Sequence, residues 1–154
     1  MAVIGAFMVP HPPLIVPEVG CGKEQAVADT VKAYREAGKK IACLAPETVV
    51  IATPHSVMYT DYFHISPGDG ARGDFSQFGA AESRICTDYD REMTELITRL
   101  AKEDGFMAGT AGEQEKQLDH ASMIPLYFIQ QNYQDFQNVR IGLSGLSLSD
   151  HSTM

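Results

Sequence analysis

The stretch Thr48-Val49-Val50-Ile51-Ala52-Thr53-Pro54-His55-Ser56 decides the fold of this chain. Residues 48–52 form a short, continuous apolar run rich in β-branched side chains, which is typical of a buried strand. Pro54 cannot donate a hydrogen bond to a sheet ladder, so the strand ends just before a histidine. In open α/β sheets, ligands bind at the carboxyl ends of the strands. The stretch therefore predicts both an α/β sheet and a functional position at its edge.

The same pattern occurs near the N-terminus. Residues 2–9 are an apolar run that predicts another buried strand, and Met8-Val9-Pro10-His11-Pro12-Pro13 ends it with a histidine. Two imidazoles that converge from two strand ends supply half or more of a metal site. The flanking prolines restrict the backbone around each ring, as a site of fixed geometry requires. The alternative interpretation is that each histidine only forms hydrogen bonds in its loop.

Helical and extended patterns alternate along the rest of the chain. Apolar spacing predicts helices over residues 24–43, 88–103 and 123–133, with Asp88 as an N-cap and Pro125 in a first helical turn. Short apolar runs predict strands over residues 62–65, 83–86, 106–110 and 139–144, and glycines predict a loop over 68–79 that can hold a hairpin. We therefore expect an α/β fold, a three-layer sandwich with a mixed, largely parallel sheet flanked by helices.

Composition narrows the classes of function. The chain has 154 residues, a net charge of -8 and a pI of about 5.0, which fits one domain without a basic surface for nucleic acid or anionic membranes. No apolar stretch approaches the roughly 20 residues that span a bilayer, and no basic segment marks a signal peptide. The three cysteines, Cys21, Cys43 and Cys86, show no CxxC spacing, which favours a reduced, cytoplasmic protein. Motifs for nucleotide binding and for a nucleophile elbow are absent from the sequence.

Further candidate residues surround the two Pro-His turns. His120 precedes an apolar segment, where a helix N-terminus would keep it neutral and able to accept a proton; a capping or solvent-facing role is the alternative. His64 shares a strand face with Tyr62 and Ser66, so we favour a structural or pocket-lining role over metal ligation. Two histidines need one acid to complete a facial triad. The candidate acids, each of which also fits an ordinary surface position, are Glu18, Asp61, Glu113, Asp119 and Asp150.

Together these motifs resemble the class III extradiol ring-cleavage dioxygenases, in their catalytic B-subunit superfamily. The resemblance is strongest to the branch that occurs with an AMMECR1 domain and a radical-SAM protein and that includes the Memo proteins. It spans essentially the whole chain and is carried by residues 8–20 (MVPHPPLIVPEVG), 51–62 (IATPHSVMYTDY), 63–68 (FHISPG), 118–128 (LDHASMIPLYF) and 141–149 (IGLSGLSLS).

The resemblance implies a role for each matching residue. It implies that His11 and His55 are ligands of a mononuclear non-haem Fe(II) ion, with Zn(II) or Cu as alternatives, and that His120 is the acid/base beside a bound catechol. It also implies an aromatic substrate cleaved with O2, in a pocket to which Tyr59, Tyr62 and His64 would contribute. The family's third ligand is a glutamate further along the chain, so we expect residues 1–154 to be the N-terminal part of one such domain, C-terminally truncated and inactive on its own.

Two other hypotheses stay open at this point. The protein can be a Memo-like, non-enzymatic binder of a metal or partner that acts with a radical-SAM system. It can also be a metal-free structural domain. We expect no nucleic-acid or membrane partner, and association of identical chains is compatible with the sequence.

Overall fold

The computed structural model describes residues 2–146. Its helices are α1 (Pro17–Gly20), α2 (Ala28–Leu44), α3 (Arg91–Glu103) and α4 (His120–Gln130). Its strands are β1 (Thr48–Thr53), β2 (Phe63–His64), β3 (Gly70–Phe75), β4 (Ala80–Asp88), β5 (Ala108–Gly109) and β6 (Gln137–Gly142). Short 3₁₀ turns cover Pro13–Ile15, Lys23–Val27 and Ser76–Phe78. Within this described range, no helix combines the length and apolarity needed to cross a bilayer.

Parallel and antiparallel pairing occur side by side. β1 pairs with β6 in parallel, with Thr48 opposite Gln137 and Thr53 opposite Gly142. β2 pairs with β5 in parallel, whereas β3 and β4 form an antiparallel hairpin. Isolated bridges from Ile65 and Tyr89 reach β6, so β6 connects the small sheets. The predicted α/β class with a mixed sheet is confirmed, and the arrangement is compatible with a three-layer sandwich.

The core lies where α2 and α4 pack together. Tyr34 on α2 and Phe128 on α4 are both buried, with ring centroids 4.7 Å apart. Gly38 permits this approach, because a Cβ there would lie 2.6 Å from the carbonyl oxygen of Phe128. Met123, Ile124, Leu126 and Phe128 extend the same cluster, so nearly every side of α4 is buried. This packing fixes the start of α4, which is where His120 lies.

The predicted strand over residues 2–9 is wrong. These residues form no strand, and Val3 is 91% exposed. They lie beside β1 and line an open apolar cavity of about 1140 Å³, together with residues of α2, β1, α3 and α4. An apolar run indicates that a segment tends to be buried. A strand also needs a neighbouring strand with which its backbone groups can form hydrogen bonds. In the described part of the chain, β1 pairs with β6 and not with this segment.

Two helix starts also differ from the prediction. α3 begins at Arg91 and is capped by Asp90, not Asp88, because the Asp90 carboxylate accepts the Met93 N–H at 2.8 Å. α4 begins at His120, three residues before the predicted start. Pro125 is therefore inside the helix, where it removes the bond that Ala121 C=O would accept. Residues 80–88 form one strand longer than predicted, and residues 70–75 pair with it where a loop was expected.

Candidate metal centre

His11 follows the extended N-terminal segment and precedes a 3₁₀ turn over Pro13–Ile15. The Tyr34 hydroxyl on α2 donates to the carbonyl oxygen of Pro10, the residue before the histidine. That bond anchors the turn to a buried helix face, although the segment before it is exposed. The His11 side chain is therefore held from the α2 side.

His55 lies two residues beyond the end of β1. Its backbone N–H donates to the Thr53 hydroxyl oxygen at 3.2 Å, which turns the chain sharply at Pro54. Thr53 is fully buried, whereas His55 is exposed. The strand end is therefore fixed in the interior while the imidazole faces the surface.

His120 is the first residue of α4. Asp119 caps the helix, since its carboxylate accepts the Ser122 N–H at 3.0 Å and the Ser122 hydroxyl at 2.8 Å. The Phe78 ring lies edge-on to the imidazole, with centroids 5.4 Å apart. The predicted position of His120 at a helix N-terminus is confirmed.

These three histidines converge. His11 Nε2 lies 3.0 Å from His55 Nε2, and ligand atoms of all three rings lie within 4.8 Å of one another. The His55 and His120 ring centroids are 4.3 Å apart. His11 and His55 are 44 positions apart in the chain, and His55 and His120 are 65 positions apart. The fold thus brings distant residues together.

Desolvation keeps His120 neutral. Burial lowers the pKa of His120 below its usual 6.5, and the neighbouring His55 and His11 rings lower it further. Asp119 acts in the opposite direction but does not reverse the shift. A neutral imidazole at this position can bind a metal or accept a proton, the two functions that the sequence allows for it.

The geometry fits a metal ion. At a metal–nitrogen distance of about 2.1 Å, two neighbouring imidazole nitrogens at about 90° lie about 3.0 Å apart. The His11–His55 separation has this value. An N–H···N hydrogen bond between two neutral rings has the same length, but it does not account for a third imidazole in the group. Among the histidine, cysteine and acidic side chains of residues 2–146, His11, His55 and His120 form the cluster that could hold an ion.

The comparison with known proteins decides the family. Residues 5–152 match the family described as the catalytic LigB subunit of aromatic ring-opening dioxygenase. The chain belongs to this family. It is also 34% identical, over 96% of its length, to protein CA_C1420 of Clostridium acetobutylicum. The chain spans 33% of the length of that relative.

Among the described residues of this LigB-family chain, none of the candidate acids joins the histidine group. Among the described residues, the metal-competent group contains three histidines and no acid. Asp119 caps α4, Glu18 accepts a hydrogen bond from Tyr127 at 2.9 Å, and Glu113 faces His64. Asp61 is not a member of the group, and Asp150 lies outside the described residues.

The predicted pocket residues form a group of their own. Tyr59 has ring contacts with Tyr62 and His64, at centroid distances of 5.9 and 5.8 Å. Tyr59 donates to the Gly112 carbonyl, and the Tyr62 hydroxyl accepts the Ala111 N–H at 3.2 Å. These contacts hold the loop that precedes α4. The role of the three side chains in substrate binding stays a prediction.

Arg140, which no sequence motif singled out, is only 2% exposed and lies inside β6. Its guanidinium donates to Ser66 Oγ at 2.7 Å and to the carbonyl oxygens of Gln117 and Glu115 at 2.6 and 2.8 Å. It also lies 3.5 Å from a Glu113 oxygen and 3.9 Å from Asp119 Oδ2. A charged residue between Val139 and Ile141 is the signal that could have found it, because buried arginines require partners.

We expect His64 to make the stability of the protein depend on pH. Burial lowers the pKa of His64 below 6.5, and Arg140 lowers it further. Between the folded-state value and about 6.5 the unfolded state binds more protons, so the free energy of unfolding decreases as the pH falls through this window. We expect a slope of at most about 1.4 kcal/mol per pH unit from this single group.

Urea denaturation of wild type and His64→Gln between pH 8 and 5.5 measures the effect. The wild type should lose stability relative to the variant on acidification. Burial raises the pKa of Glu113 above 4.5 and gives the opposite slope, but this contribution is present in both proteins. Parallel curves for the two proteins above pH 5.5 would contradict this assignment to His64.

Proposed function

We propose that this protein is a non-haem Fe(II)-dependent, extradiol-type dioxygenase that opens a catechol-type aromatic ring with O2. His11 and His55 hold the metal, and His120 is the acid/base. The convergence of these three imidazoles at a strand-end site carries the proposal. Membership of the LigB family supports the class of reaction. Fe(II), Zn(II) and Cu all accept imidazole ligands, so the histidines alone do not select the metal.

The protein residues have separable tasks in this reaction. His11 and His55 would hold the Fe(II) ion, which when bound would supply the Lewis-acid and redox chemistry for the reaction of a diol with O2. Neutral His120 accepts a proton from a diol hydroxyl and later returns it. Its lowered pKa keeps the ring unprotonated before this step and favours the return of the proton. The edge-on Phe78 ring restricts the orientation of the imidazole. Since His55 is exposed, the substrate can reach the group from solvent.

Several finer parts of the proposal rest on the sequence resemblance. They are membership of the Memo-containing branch, and an AMMECR1 domain and a radical-SAM protein as partners. A cytoplasmic location is proposed from the cysteine usage, and self-association is proposed as compatible with the sequence. Tyr59, Tyr62 and His64 are proposed to line the substrate side of the site, on the strength of their common contact with the loop before α4.

One observation favours a second candidate function. Among the described residues, the group that could hold a metal consists of three histidines and contains no carboxylate. A set of imidazoles without an acid suits Zn(II) or Cu as well as Fe(II). The alternative is therefore a Memo-like, non-enzymatic protein that binds a metal or a partner at the same site.

A pair of isomeric diols tests the proposed substrate class. The protein is loaded anaerobically with Co(II), whose visible spectrum reports its ligands, and is titrated with catechol. We expect the Co(II) spectrum to change, because two adjacent hydroxyls can both reach one metal. Resorcinol, with its hydroxyls one carbon further apart, serves as the matched control and should leave the spectrum unchanged. Equal responses, or no response to catechol, would argue against a diol site.

His120→Gln separates the acid/base role from metal ligation. We expect Co(II) affinity to stay within about threefold of wild type. The catechol response should weaken by about ten- to a hundredfold, the range for losing one hydrogen bond to a charged group. If the variant instead loses the metal, His120 is a ligand, and the assignment of an acid/base is wrong.

A further inference from the structure

We propose that Thr53 and Asp119 form a positioning pair that sets the placement of His55 relative to His120. The inference rests on the proposed metal site. It adds to that site the residues that hold His55 and His120 in place relative to each other. Neither residue belongs to the histidine group itself. Thr53 acts through the backbone N–H of His55, and Asp119 acts through the first turn of α4, which begins at His120.

Thr53 uses its hydroxyl in two directions. Its Oγ1 donates to Asp119 Oδ1 at 2.7 Å and accepts the His55 backbone N–H at 3.2 Å. The side chain is fully buried, so water does not compete for either bond. A valine would suit this strand position as well and would need no polar partner. The link to Asp119 and His55 therefore explains why this position carries a hydroxyl, because the strand itself does not require one.

Asp119 is fixed from several sides. Oδ1 accepts the Ser122 N–H at 3.0 Å in addition to the Thr53 hydroxyl, and Oδ2 accepts the Ser122 hydroxyl at 2.8 Å. Arg140 Nη1 lies 3.9 Å from Oδ2 and places a positive charge beside the carboxylate. The side chain is only 7% exposed. A carboxylate held in this way has little freedom to move relative to the first turn of α4.

The pair therefore joins two elements that carry one histidine each. Ser122 alone would satisfy the capping function of Asp119, so the bond to Thr53 is additional to the helix cap. It connects the end of β1 to the start of α4 across 66 positions of the chain. Metal affinity depends on such outer contacts, which commonly change it by about 10- to 100-fold.

Thr53→Val and Thr53→Ser form a matched pair of variants. Valine keeps the β-branched shape and removes the hydroxyl, whereas serine keeps the hydroxyl and removes the methyl group. We expect Thr53→Val to lower Co(II) affinity by about 10- to 100-fold and to alter the Co(II) spectrum. Thr53→Ser should stay within about threefold of wild type with an unchanged spectrum. Both are measured well below their unfolding temperatures, so that a loss of stability alone does not change the readout.

Asp119→Ser provides an independent variant. Serine is as good an N-cap as aspartate, but its shorter side chain does not span the distance to Thr53. We expect Co(II) affinity to fall as in Thr53→Val. The double variant should lose little more than either single variant, because both substitutions break the same link.

The outcomes distinguish the two proposals. If wild type binds Co(II) through His11 and His55 while Thr53→Val matches it in affinity and spectrum, the positioning pair is refuted and the metal site stands. Additive losses in the double variant would also refute the pair. If wild type binds no Co(II), the proposed metal site and the pair fail together.

Discussion

Replacing either His11 or His55 by alanine is expected to abolish stoichiometric metal binding. The two Nε2 atoms lie 3.0 Å apart, so each variant removes one of two neighbouring donors from a preformed pair. Changes in the outer shell of metal sites already cost about 10- to 100-fold in affinity, and the loss of a direct ligand should exceed that range. Calorimetric titration with Co(II) or Zn(II), followed by metal analysis after dialysis, measures the effect.

The fold should survive both substitutions, because His55 is exposed and His11 is half-buried. Circular dichroism checks this directly. His64→Gln is the matched control, since His64 lies beside Glu113 and outside the histidine group. It should bind metal as wild type does. Wild-type stoichiometry in both alanine variants would remove the basis of the proposed function.

The largest effect on stability is expected from Arg140→Met. Methionine fills much of the same volume but leaves the Gln117 and Glu115 carbonyl oxygens without their donor. It also leaves Glu113 and Asp119 without the buried positive charge that faces them. Removing one partner of a buried ionic group typically costs about 3–5 kcal/mol of unfolding free energy. For a domain of ordinary stability, this is a large fraction of the total.

Arg91→Met is the matched control for this experiment. Arg91 also pairs with an aspartate, Asp69, at 2.9 Å, but its side chain is 67% exposed. An exposed ion pair contributes about 0–1 kcal/mol. Urea denaturation of the two variants should therefore give very different midpoints. Similar midpoints would show that the Arg140 contacts contribute little to stability.

Local sequence patterns predicted the element ends that carry His55 and His120 better than they predicted which segments form strands. The segments around His55 and His120 combine a clear structural pattern with a terminating or capping residue, and each places its histidine at an element end. This local information places His55 just beyond β1 and His120 at the start of α4. The convergence of the histidines follows once the strand and the helix are in place.

The errors come from contacts between distant segments. Residues 2–9 are apolar enough for a buried strand, but pairing depends on a partner edge that the sequence pattern does not reveal. The strand over residues 70–75 was hidden by its glycines. One of these, Gly73, permits a close approach, because a Cβ there would lie 2.6 Å from Met123 Sδ. The partners of Arg140 lie on a loop more than twenty positions away, so its role was visible only in three dimensions.

Because the exposed N-terminal segment leads to His11, binding of a ligand at the site should restrain the first residues of the chain. Residues 2–8 have few buried side chains, yet they lead directly to His11. A ligand held by His11 restrains this segment, and part of the binding free energy offsets the conformational entropy that the segment loses. Metal binding should therefore slow the proteolysis of residues 2–10. The rate of cleavage at the N-terminal peptide bonds would then report whether the site is occupied. This measurement requires neither a coloured metal nor a known substrate.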